Sequence, residues 1–239
     1  MKRFLFPPFL GQDLEEFRIK TSDILAIALM LSVLATMATA SEEKSGISGE
    51  QALQKLMEGN ARYASGNASH PDQSVERRYE LIAGQHPFAV IVGCSDSRIA
   101  PEVLFDQGLG DIFVIRTAGQ VLDDVAIASI EYAVEHLGVP LVVVLGHDSC
   151  GAVTATIEGG EAPGHMNCLL DFIQPAVDAA REMGDEDELL NNSIDINVYN
   201  IVDELKACQP ILSEKAEKGE LLIVGARYYL DSGEVEVFE

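Results

Sequence analysis

Residues Phe88 to Arg98 read FAVIVGCSDSR, an unbroken apolar run closed by a glycine and followed at once by a cysteine, an aspartate and an arginine. Residues Leu141 to Gly151 read LVVVLGHDSCG and repeat the plan, with a histidine and a second cysteine behind the glycine. Runs that are apolar on both faces and rich in valine and isoleucine are what parallel strands covered by helices require. Between them lie a third short strand at Ile112 to Ile115 (IFVI) and a helix over Val125 to Leu137. Ile127, Ile130, Ala133, Val134 and Leu137 share one side of that helix, Gly138 ends it and Pro140 blocks its continuation. Strand, helix and strand in alternation predict right-handed crossovers and an α/β fold whose central sheet is mainly parallel and flanked by helices.

Outward from this centre, Ser48 and Gln51 have capping-box spacing, and Leu53, Leu56, Met57 and Tyr63 give the helix they open an apolar face. This is the N-terminal helical arm, and it ends in the Gly66-Asn67-Ala68-Ser69 loop. The polar residues from there to Gly84, interrupted by Pro71, predict a loop and a short charged helix. Helices are expected between Asn167 and Lys218, and a fourth strand at Leu221 to Gly225. The Asp231-Ser232-Gly233 turn then leads Glu234 to Phe238 back as an antiparallel extension.

The first forty residues differ in kind. Ile24 to Ala40 (ILAIALMLSVLATMATA) is apolar and uncharged and ends at Ala38-Thr39-Ala40, the pattern of a signal-peptide core with its cleavage site. The expectation is residues 1–40 as a signal peptide, residues 41–239 as one domain, and export to the periplasm. The alternatives are an uncleaved membrane anchor, since about 17 apolar residues can just span a bilayer, or a misassigned start codon and a cytoplasmic protein. With 239 residues, 47% of them hydrophobic, the chain can bury a substantial core. Its 39 acidic against 16 basic residues give a net charge of −23, which repels phosphate backbones and argues against a nucleic-acid partner.

Cys94 follows the first strand and His147 the second, so both stand at carboxyl ends of parallel strands, the edge where open α/β sheets bind ligands. Two sulfurs and an imidazole suit zinc, and three protein ligands leave the fourth position open, which is the catalytic pattern. Cys94, His147 and Cys150 are therefore the expected ligands. His147 and Cys150 have the spacing to share the first turn of a helix, where the N-terminus would lower a thiol pKa. Asp96 could close the site by reaching the metal, and a bidentate pair with Arg98 would hold it off. Of the remaining cysteines, Cys168 and Cys208 sit among apolar helical residues and read as buried free thiols, or as a disulfide if their Cα atoms approach within about 7 Å. His70, His86, His136 and His165 are assigned to surface or packing, while Asp148 and Ser149 are candidates to contribute backbone N–H groups or bonds that support the ligands, a role the sequence leaves open.

Cys-Ser-Asp-Ser-Arg at Cys94 to Arg98, paired downstream with Gly146-His147-Asp148-Ser149-Cys150-Gly151, resembles the β class of carbonic anhydrases, over roughly Ser48 to Glu239. The resemblance implies zinc on Cys94, His147 and Cys150, an Asp96–Arg98 catalytic dyad, and reversible hydration of carbon dioxide to bicarbonate and a proton by zinc-bound hydroxide. It also implies that Gln85, Phe113 and Tyr132 contact substrate, and that the chain forms a homodimer or homotetramer in which the N-terminal helix embraces its neighbour. Two features depart from the family: Arg116-Thr117-Ala118-Gly119-Gln120 stands where many members have Arg-Asn-x-Ala-Asn, and an export segment is unusual. The competing readings are a related hydrolase of carbon disulfide or carbonyl sulfide, and a non-catalytic zinc scaffold or bicarbonate sensor.

Overall fold

The computed structural model describes residues 46–160 and 162–238; the expected export segment lies outside them. Helix α1 (Gly49–Ala64) begins as its cap spacing requires: the Ser48 hydroxyl accepts from the Gln51 amide at 3.3 Å, and the Gln51 side chain accepts from the Ser48 amide at 2.8 Å. A short α2 (Val75–Glu80) follows, and then strand β1 (Ala89–Cys94), every residue of it buried. Helix α3 (Pro101–Leu104) leads to β2 (Ile112–Thr117), and α4 (Asp124–His136), capped by the Asp123 carboxylate, leads to β3 (Leu141–His147). After α5 (Gly151–Glu158) come α6 (Met166–Glu182), α7 (Leu189–Ala207) and α8 (Ile211–Glu217), then β4 (Leu222–Tyr228) and β5 (Val235–Val237).

The strands lie in the order β2-β1-β3-β4-β5; all neighbours are parallel except β4 and β5, which form the expected antiparallel extension. Alternation decides the two faces. Val90, Val92, Val142 and Val144 pack against α4 and α7 through Ile130, Val198, Val202 and Leu205. Ala89, Ile91, Leu141, Val143 and Leu145 pack the other way, against Ala52 and Leu56 of α1 and against Leu104 and Phe105. Buried Asn60 fastens α1 to both neighbours, donating to the carbonyls of Leu104 (3.0 Å) and Gly233 (2.9 Å) and accepting from the Val235 amide (2.9 Å).

Gly146 of β3 and Gly225 of β4 let α7 press directly on the sheet. A Cβ at either place would stand 2.6 or 2.7 Å from Val198. That close approach seats α7 on β3 and β4, next to the carboxyl end of β3 where the reactive residues collect.

Two expectations need correction. Cys168 is exposed rather than buried, because it lies in the first turn of α6 on the side turned to solvent. Cys208 is half-buried at the end of α7, its sulfur 3.8 Å from Glu131 Oε1, and both cysteines are free.

Candidate metal centre and active site

β1 ends at Cys94 and β3 ends at His147, adjacent strands whose ladder aligns Gly93 with Leu145. The Cys94, His147 and Cys150 side chains converge there, their donor atoms all within 4.8 Å of one another and all three residues buried. The turn into α5 differs from expectation. His147 belongs to the strand and Cys150 is the residue before the helix, so the two do not share a helical turn. Ser149, at φ +52°, bends the chain between them. The sheet ladder wins over the helix here because the Asp148 amide still bonds the Tyr228 carbonyl at 3.2 Å.

His147 Nδ1 lies 2.8 Å from the carbonyl oxygen of Asp148 and donates to it, which leaves Nε2 as the bare nitrogen. Nε2 is fully buried and has no hydrogen-bond partner. A buried imidazole nitrogen left bare beside two cysteine sulfurs is an unsatisfied donor set, and its chemistry fits zinc.

The two sulfurs shift in opposite directions. Cys94 is driven down to about 4 by the Cys150 thiol, by His147 and by the amides of Asp96 (3.4 Å) and Gly119 (3.3 Å), all of which favour its thiolate over the burial that opposes it. Cys150 is pushed up, because it lies against that thiolate and is buried. The first amides of α5, those of Ala152 and Val153, act on Cys150 in the expected lowering direction and are outweighed. Burial alone would lower His147, and the Cys94 sulfur reverses it.

Asp96 is held as the sequence implied. Arg98 Nε donates to Oδ1 at 2.9 Å and Nη2 to Oδ2 at 2.7 Å, a bidentate pair reinforced by the Arg98 amide at 3.0 Å. Arg98 holds the carboxyl below the usual carboxylate range. Oδ2 stands 4.0 Å from His147 Nε2, outside the trio of ligand atoms.

A sequence profile of the carbonic anhydrase family matches residues 89–235. Carbonic anhydrase 2 of Mycobacterium tuberculosis (strain ATCC 25618 / H37Rv) is 48% identical over 190 residues, covering 76% of this chain and 89% of the relative. The chain belongs to the β-carbonic anhydrase family. A carbonic anhydrase of Mycolicibacterium smegmatis is 44% identical, over 78% of this chain and 91% of that one. Among solved structures, a β-carbonic anhydrase of Sordaria macrospora, described as tetrameric, matches with a TM-score of 0.63 at 25% identity, over 79% of this chain and 97% of that chain. The Coccomyxa β-carbonic anhydrase solved with acetazolamide matches with the same score at 27% identity, over 78% of this chain and 86% of that chain.

Within one chain of this carbonic anhydrase, the crevice does not gather Gln85, Phe113 and Tyr132. Gln85 is exposed ahead of β1, at the end of the strand remote from Cys94. Phe113 pairs with Val90 whereas Cys94 pairs with Thr117, which sets Phe113 about 13 Å back along β2 at ~3.3 Å per residue. Tyr132 is 48% exposed on α4, its ring against His136.

Other residues that shape the site escape a reading by residue type. Arg116 donates to the carbonyls of Cys94 (2.9 Å) and Asp96 (2.7 Å), and Arg98 Nη2 also reaches the Ser149 carbonyl at 3.1 Å. Asn197 donates to the Gly119 carbonyl at 3.1 Å, holding the peptide next to the one whose N–H faces Cys94. One signal was available for Asn197: it is a polar residue on the face of α7 that otherwise carries Ile194, Val198, Ile201 and Leu205.

Proposed function

We propose that this chain interconverts carbon dioxide and bicarbonate at a zinc ion held by Cys94, His147 and Cys150. The observation that carries the reading is the bare, buried Nε2 of His147 facing two sulfurs, with the Asp96 carboxylate tied back by Arg98. Zinc bound by three protein ligands supplies an acidified water as a nucleophile near neutral pH. The chain's own residues do the rest. Two cysteine sulfurs ligating as thiolates offset the ion's charge, and amide donors from Asp96 and Gly119 hold the Cys94 sulfur in place. Asp96, kept ionised, offers Oδ2 as an acceptor beside the ligands, so that a proton-bearing oxygen there is oriented. Arg98 keeps that acceptor off the metal by engaging both of its oxygens.

The test is a stopped-flow hydration assay with zinc content measured alongside, on the full chain and on protein lacking residues 1–40. About one zinc per chain, hydration abolished by Cys150→Ser, and inhibition by acetazolamide are expected. Zinc-loaded protein that leaves carbon dioxide unhydrated but cleaves carbonyl sulfide would shift the reading to a sulfur-substrate hydrolase; inactivity on both would make it a scaffold.

The same reading extends to assembly and address. Gln85, Phe113 and Tyr132 serve the crevice of a second copy, since they lie away from their own and β2 is a sheet edge. Light scattering should then give a dimer or tetramer, and Tyr132→Ala should raise KM while leaving zinc content unchanged. A strictly monomeric active protein would refute this. Residues 1–40 direct export and are removed, so N-terminal sequencing of the mature protein should begin at Ser41.

A further inference from the structure

An imidazole serves a metal in one tautomer and one orientation, and the partner of its other ring nitrogen sets both. For His147 that partner is the carbonyl oxygen of Asp148, at 2.8 Å. Whatever fixes the Asp148 peptide therefore aims Nε2. No helix does so, because α5 starts only at Gly151 and Ser149 has already left the strand at φ +52°. The Asp148 amide extends the β3–β4 ladder by one 3.2 Å bond to Tyr228, and its carboxylate accepts the Leu230 amide at 2.9 Å.

The segment that offers this amide is itself braced: the Tyr229 amide donates to the Glu234 carbonyl and the Gly233 amide to the Tyr229 carbonyl, both at 2.9 Å. The carboxylate also lies near enough to Arg98 to strengthen the hold on that guanidinium's proton. It thus bonds the segment that supports His147 while its charge reaches the Asp96–Arg98 pair.

We infer that Asp148 is a positioning residue of the metal centre: by gripping the Leu230 amide it fixes the carbonyl that orients His147, and so couples zinc affinity to the turn between β4 and β5. The inference rests on the proposed zinc site and adds a residue to it. Its chemistry is an acceptor at one place, not a negative charge as such. Asp148→Asn keeps an oxygen where Leu230 needs it; Asp148→Ala removes it.

The experiment is zinc affinity by competition with a chromophoric chelator, measured on full-length wild type and both variants, together with ligand-field spectra of the cobalt-substituted proteins. Asp148→Ala should bind zinc about ten- to a hundredfold more weakly with shifted cobalt bands, while Asp148→Asn stays within about threefold of wild type. Wild-type affinity and an unchanged spectrum in Asp148→Ala overturn the inference, as does an Asn variant as weak as the Ala one. Should Asp148→Ala not fold, Asp148→Glu replaces it: the charge stays but the oxygen moves by one methylene, and retention of full affinity refutes the role. A wild type that binds no zinc would sink the functional reading too, whereas zinc-binding wild type with indifferent variants sinks this inference alone.

Discussion

Gly119 shows how much of the site is decided by single residues. It has φ +65°, a Cβ there would meet Ile173 Cδ1 at 2.7 Å and Ala152 Cβ at 3.1 Å, and its amide donates to the Cys94 sulfur. Gly119→Ala should cost about 1–3 kcal/mol in left-handed strain alone, seen as a lower melting temperature, and should weaken zinc binding as the amide turns away. The residues flagged by type alone, Cys94, Asp96, Arg98, His147 and Cys150, do meet. Their chemistry was legible because each carries a distinctive functional group at a strand end. Gly119 and Ser149 act through backbone atoms, which every residue has, so type cannot mark them. Arg98→Ala frees Asp96 from the cation that lowers its pKa. Without that partner nothing aims the Asp96 oxygens or keeps them off the metal, so activity at neutral pH should fall at least about tenfold, zinc remaining bound. Full activity in Arg98→Ala would dissociate the Asp96–Arg98 pair from catalysis.

Among elements, strands and helices whose periodicity is strong came out of the sequence nearly as they stand: α1 with both bonds of its capping box, β1, β3 and α4 within a residue of their expected ends. The segment from Asp148 to Cys150 did not, because Asp and Ser suit a helix cap and a strand-ending turn equally well. Between α1 and α2, the loop is clasped by Asp106, whose buried carboxylate accepts from the Ser69 amide and hydroxyl (2.9 and 2.8 Å), the His70 amide (2.8 Å) and Arg62 Nε (2.6 Å). These donors outweigh burial and hold its pKa below the usual range. A depressed carboxylate pKa gives stability that is complete above the ordinary value near ~3.9 and is lost as pH falls through the folded value. Asp106→Ala should therefore lower stability at pH 7 by about 3 kcal/mol through orphaned donors, and the gap from wild type, measured by urea unfolding, should close in strong acid. A gap that widens with acid would contradict this.

At the scale of the whole molecule, a net charge of −23 sets the chain against itself. Raising salt from about 0.01 to 0.15 M shortens the screening length from ~30 to ~8 Å, and the melting temperature should rise by a few degrees; a fall would mean that surface ion pairs such as Lys215–Glu135 outweigh the repulsion. By itself, the sequence determined the local order: which runs are strands, where α1 is capped, and which strand ends carry sulfur and imidazole. Those properties are written in period and residue type over a few neighbours. Only the tertiary structure decided that Asn197 holds Gly119 from 78 residues away, that Leu230 supports Asp148 across 82, and that Gln85, Phe113 and Tyr132 stand apart from their own metal crevice. The reason is physical: contacts at such separations are set by the strand order β2-β1-β3-β4-β5 and by the depth to which α7 settles on Gly146 and Gly225. No local pattern carries either one.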